Sequence, residues 1–170
     1  MADTFTAAEI AGMLASDIFH FRRYLIVSNV SWGLLPWEAD MLVMTAAGYI
    51  SEVEIKISIA DLKRDRSKAK WRGYDDYHRR LKARWFAMPL SVWAHKDAES
   101  CIPEGAGIIV CTKPAPWTFG TKIERHPANN PDATPLTVPE QFQLARLGTM
   151  RHWARLSRQS RKDARERKSA

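Results

Sequence analysis

The chain reads Trp37-Glu38-Ala39-Asp40 and, one hairpin later, Glu52-Val53-Glu54-Ile55-Lys56. In a strand, residues two apart share a face. Glu52, Glu54 and Lys56 therefore line one side of a strand, and Val53, Ile55 and Ile57 line the other. Three charges on one face, backed by three β-branched residues, are costly in a sheet covered on both sides. A divalent cation and the lysine together would neutralise the carboxylates. A metal-dependent phosphodiesterase needs such a set.

The neighbouring segments predict the elements around this strand. Residues 38–44 predict a preceding strand, with Met41 and Val43 opposite the face of Glu38, Asp40 and Leu42. Thr45-Ala46-Ala47-Gly48 turns the chain into the strand 49–57. Upstream, Tyr24-Leu25-Ile26-Val27 begins a strand that extends toward Trp32, before Gly33 and Pro36 break the pattern. Residues 6–19 predict a helix with Thr6 as cap, Glu9 at the third position of a capping box, and Ile10, Met13, Leu14 and Ile18 as its stripe.

Downstream, Ser58-Ile59-Ala60-Asp61 opens a second, charged helix. Residues 71–84 read as a polar surface loop or short helix, and 85–89 and 108–111 as strands. Residues 113–137 hold most of the prolines and read as irregular, with room for a short strand at 122–125. A long helix starts at Val138, with Pro139 in its first turn and Phe142, Ala145, Leu147, Met150 and Trp153 as its apolar stripe. Past Leu156 the apolar residues stop and Arg and Lys dominate. This tail cannot order itself by burial, but its composition favours an extension of the helix. The expectation is one α/β domain over 1–170, with its core at about 6–112, an irregular stretch at 113–137 and a helix with a basic tail at 138–170.

The 170 residues are 45% hydrophobic and 26% charged, enough apolar content for a sizeable core. The formal charge is +7, which points to a polyanionic partner. Nucleic acid is favoured over a membrane surface, because the chain shows no lipid anchor and no clean basic amphipathic helix. No apolar run approaches the roughly 20 residues of a membrane span. The start, Met1-Ala2-Asp3-Thr4-Phe5, lacks the basic and apolar regions of a signal peptide, so a cytosolic location is expected. Cys101 and Cys111 make neither a disulfide framework nor a zinc site. His78, His95, His126 and His152 lack metal-ligand spacing.

The hairpin is expected to bring Asp40 beside Glu54, with Lys56 one pleat further on. Two carboxylates at such a site bind Mg²⁺ or Mn²⁺ through oxygen, with water completing the shell. The metal lowers the pKa of a bound water, and the lysine orients the nucleophile or stabilises charge in the transition state.

Asp40 and Glu54-Ile55-Lys56 resemble the two half-motifs of the PD-(D/E)XK nuclease superfamily. The run Glu52-Val53-Glu54-Ile55-Lys56-Ile57-Ser58 before a charged helix is similar to its small phage and bacterial members. The predicted order also matches that superfamily's αβββαβ core, over roughly residues 6–112. Ala39 stands where the motif often has proline. The resemblance implies a restriction-endonuclease-like fold with a mixed central sheet flanked by helices. It also implies metal-dependent hydrolysis of DNA phosphodiesters, with Asp40 and Glu54 as metal ligands and Lys56 as the catalytic lysine. Duplex or branched DNA is the expected partner, and the assembly is open between monomer and homodimer. The alternative is a non-catalytic nucleic-acid-binding protein on the same fold.

Several residues carry two readings. Asp40 is also readable as a turn acid, and Glu52, Glu54 and Lys56 as a solvated edge strand with cross-strand ion pairs. Glu9 is a capping-box residue or a third acid near the metal. Glu38 and Glu52 are outer-shell groups or plain exposed acids. Lys63, Arg64, Lys68, Lys70 and Arg72, and further on Arg79 and Arg80, are phosphate contacts or a solvated face. Lys82, Arg84, Tyr74 and Tyr77 extend the second of these groups. The tryptophans are core residues first, with Trp32 and Trp37 the candidates for base stacking.

Overall fold

A computed structural model describes residues 4–31, 33–65, 79–113 and 120–169. Its centre is one six-stranded sheet with strands in chain order. The strands are β1 (Leu25–Val30), β2 (Ala39–Met44), β3 (Ile50–Ile55), β4 (Leu81–Pro89), β5 (Gly107–Cys111) and β6 (Thr121–Arg125). β1, β2 and β3 form an antiparallel meander, β3, β4 and β5 run parallel, and β6 returns antiparallel on the edge. This is the expected mixed α/β sheet flanked by helices, with a long C-terminal helix, Val138–Ser169.

The hairpin between β2 and β3 depends on Gly48. Its φ is +82°, and its amide donates to the Thr45 carbonyl at 2.9 Å. A side chain there would be strained by the backbone angle and would also meet Gln141 at 2.8 Å. Register then follows, pairing Leu42 with Glu52 and Met41 with Val53.

Helix α1 (Ala7–Met13) covers one face of the sheet and continues as a π-helical turn, Leu14–Ile18. Thr6 and Glu9 close the capping box in both directions. Ile10 and Leu14 pack on Met41, Val43, Val53, Ile55, Trp85 and Ile109. The other face carries two separate apolar clusters. At the β1–β2 end, Leu144 of the C-terminal helix joins Val27, Leu42, Ile50 and Leu81. At the β4–β5 end, Leu62 of α2 (Ile59–Asp65) joins Phe86, Met88, Ile108 and Val110. On β3, Glu52 and Glu54 follow Ile50 along this second face, in the gap between the two clusters.

Two expectations change. The fourth strand starts at Leu81 rather than 85, although 71–84 reads as loop or helix. Lys82 and Arg84 make this segment look like surface, but each is tied down, Lys82 to the Asn130 carbonyl and Arg84 to Glu52. Within the stretch 113–137, the short strand expected at 122–125 is present as β6. The apolar stripe of the C-terminal helix is also displaced: Leu144 is its buried contact, while Phe142, Met150 and Trp153 are exposed. Leu144 and Gly148 face the sheet, with Gly148 close against Val27.

Candidate active site

The geometry of the site follows from where strand pairing ends. The β2–β3 ladder stops at Met41 and Val53. Beyond it, the Ile55 amide donates to Asp40 Oδ2 at 2.8 Å, so the side chain of Asp40 takes the place of a backbone partner. The Lys56 amide donates to the Ala87 carbonyl of β4 at 2.9 Å. Both anchors hold the end of β3 rigid just where its charged side chains converge.

Lys56 Nζ lies 2.7 Å from Glu54 Oε2, 3.2 Å from Asp65 Oδ1 and 4.0 Å from Asp40 Oδ2. Glu54, Lys56 and Asp65 are buried, whereas the Asp40 side chain is 38% exposed. Burial by itself pulls the Lys56 pKa down. Glu54, Asp65 and Asp40 outweigh that and hold it above the ordinary lysine range, so the group is an ammonium at neutral pH. Asp40 lines a cleft of about 560 Å³, together with Ser28, Asn29, Ile55 and the alanines of α1. Arg155, from the C-terminal helix, reaches the same cleft. The small side chains of Ala8, Ala11, Gly12 and Ala15 keep that wall of it open.

Asp40, Glu54 and Lys56 are thus brought together. Asp65 joins them, a residue that the sequence reading misses. Its signal is readable in part, because it sits three residues after the buried Leu62 and therefore on the inward face of α2. Arg155 gives no local signal, since it is one of several arginines spread along the C-terminal helix.

The other candidate acids lie apart. The Glu9 carboxylate accepts from the Thr6 amide and hydroxyl, and these bonds hold its pKa below the usual carboxylate value. Glu38 is exposed ahead of β2 and makes no ion pair among the described residues. Glu52 is fully buried, accepting from Trp37 Nε1 at 2.6 Å and Arg84 Nε at 2.9 Å. That bond makes Trp37 a structural donor.

Of the candidate DNA-contacting residues, Lys63 pairs with Asp97 at 2.7 Å and Arg80 pairs with Glu140. Arg64 and Arg79 are exposed. Lys68, Lys70 and Arg72 lie outside the described residues, as do Trp32, Tyr74 and Tyr77.

Fold and site together define an α/β protein with a mixed six-stranded sheet and an acid–lysine cluster opening on a cleft. A model of the MmcB-like family, described as DNA repair protein MmcB-like, matches residues 23–153. The chain belongs to the MmcB-like DNA repair protein family, whose fold is restriction-endonuclease-like. The chain is also similar to the solved structure of SPO1766, a protein of unknown function from Silicibacter pomeroyi. The TM-score is 0.57 at 15% identity, covering 89% of this chain and 90% of that one, a likeness of fold alone. No curated protein matched. No helix among the described residues is long and apolar enough to cross a membrane.

Proposed function

We propose that this protein is a metal-dependent nuclease that hydrolyses DNA phosphodiester bonds, a member of the PD-(D/E)XK superfamily acting in repair. The observation that carries the reading is the convergence of Asp40 and Glu54 on Lys56 beside an open cleft. Asp40 and Glu54 offer only carboxylate oxygens, the donors that suit Mg²⁺ or Mn²⁺. One of them is solvent-accessible, as entry of a cation requires. When bound, such a metal would polarise the phosphate and lower the pKa of a water. Lys56, held as an ammonium by the carboxylates around it, stabilises charge developing on phosphate oxygens. Arg155 faces the same cleft and supplies a phosphate contact.

A second reading is a non-catalytic DNA-binding protein on this fold. It is favoured by the Lys56 ammonium lying among the carboxylates. The three acids Asp40, Glu54 and Asp65 surround that ammonium, and among the described residues no three such side chains are arranged to hold a metal ion. Cleavage of plasmid and branched oligonucleotides with Mg²⁺, Mn²⁺ or EDTA separates the two. Metal-dependent cutting that Asp40→Asn and Glu54→Gln abolish supports the nuclease. Tight DNA binding without cutting under any of these conditions rejects it.

A further inference from the structure

The C-terminal helix has two apolar faces, and the body of the protein covers one. Leu144 is fully buried, and Gly148 lies so close to Val27 that an added Cβ would stand 3.2 Å from its Cγ2. Arg155, on the same line, reaches the cleft. At about 100° per residue, Phe142, Thr149 and Trp153 point the opposite way. Val138, Phe142, Met150, Trp153 and Leu156 are 77, 70, 55, 62 and 45% exposed. A shallow groove of about 530 Å³ runs past Phe142, Ala145, Met150 and Trp153. An apolar stripe of this extent marks an interaction surface. It faces away from the cleft, so DNA held at Asp40 would leave it uncovered.

The stripe is close to palindromic about Leu147. Val138 and Leu156 stand nine positions either side, and Ala145 and Thr149 two positions either side. Phe142 stands five before and Trp153 six after. In two antiparallel helices crossing there, Val138 meets the second copy's Leu156 and Phe142 meets its Trp153. Small residues lie at the crossing, where helices approach most closely. Each patch is then its own complement, as a two-fold interface requires.

Charge decides the direction. Residues 158–168 carry six basic groups against two acids. A parallel pair would lay the two tails side by side. An antiparallel pair sends them to opposite ends, about 50 Å apart at 1.5 Å per residue, well beyond the Debye length. Arg146, exposed within the stripe, can lay its stem along the neighbouring helix and keep its guanidinium in water. Five large side chains losing on the order of 100 Å² each give about 500 Å² per copy, under the roughly 800 Å² of a standard interface. That area fits a dimer that forms at micromolar concentration and above.

We propose that this chain self-associates through its C-terminal helices as an antiparallel two-fold dimer. The proposal does not depend on nuclease activity. Sedimentation velocity of the full chain from about 1 to 200 μM, a range set for micromolar affinity, reads it directly. The expected result is a monomer-to-dimer shift that Trp153→Glu or Phe142→Glu moves at least tenfold to higher concentration. Circular dichroism should stay unchanged, because both side chains are exposed in the monomer. Direction is read with a short bismaleimide, to which the buried Cys101 and Cys111 do not respond. Ala145→Cys protein mixed with Thr149→Cys protein should crosslink faster than either alone. A wild-type chain that stays monomeric across the range, or crosslinking fastest within each single variant, overturns the proposal.

Discussion

Glu52 and Glu54 stand two residues apart on one face of β3, both buried, yet they serve different ends. Glu52 is closed off by the Trp37 indole and the Arg84 guanidinium, from a loop and from the adjacent strand. Each of its two carboxylate oxygens accepts a hydrogen bond. Glu54 shares the Lys56 ammonium with Asp65 and with Asp40, which is part-exposed and lines the cleft. Burial of a carboxylate therefore does not mark a site by itself. A site needs several acids that converge on a point and one that meets solvent.

The comparison can be broken by removing a charge from each cluster. Lys56→Met takes the ammonium from two buried carboxylates and should cost about 3–5 kcal/mol, measured by urea unfolding at pH 7. A loss under about 1 kcal/mol would show that water reaches the cluster and that the two regions are alike. Loss of folding would also mask the catalytic role of Lys56, so Lys56→Arg belongs in the cleavage assay beside it.

The sign of the pH effect follows from the raised Lys56 pKa. Its contribution is fully present below the unfolded-state value near 10.5 and is lost as pH rises through the higher folded-state value. The stability gap between wild type and Lys56→Met should therefore be flat with respect to this group from neutral pH to about 10, and narrow only above that. A gap that closes near pH 8 would contradict it.

Glu52→Gln is milder, at about 1–3 kcal/mol, because the amide oxygen can still accept from Trp37 while Arg84 loses its counter-charge. Cleavage at saturating DNA should be unchanged if this region is structural. Asp40→Asn should shift stability by less than about 1 kcal/mol, since the amide keeps an oxygen for Ile55 and the side chain is part-exposed. It should abolish cutting and leave DNA affinity intact. Retained cutting would move the candidate site elsewhere.

The smallest effect on stability is expected from truncation after Ser157, because nearly all of that tail is exposed. DNA affinity should fall at low salt. The slope of log K against log salt should become shallower by about one for each phosphate that the tail no longer neutralises. Equal affinities at low salt would make the tail merely solubilising.

Local rules explain how much could be read from the chain alone. The Thr6–Glu9 cap, the turn at Gly48, the alternation through Glu52, Glu54 and Lys56, and the helix from Val138 all rest on periodicity or on contacts within four residues. Such features survive without knowledge of distant partners. They were enough for the order of the elements and for placing Asp40, Glu54 and Lys56 near one another, whereas the mixed sheet followed from the resemblance.

Tertiary structure decided the rest, because charge pairing between remote elements leaves no period in the sequence. Leu81 to Arg84 became strand once Lys82 and Arg84 found Asn130 and Glu52. Asp65 joined the cluster because α2 packs Leu62 on Phe86 and Met88, which turns the next inward residue toward Lys56. Which stripe of the C-terminal helix is buried was settled by the fit of Gly148 against Val27, a matter of shape rather than of hydrophobic pattern.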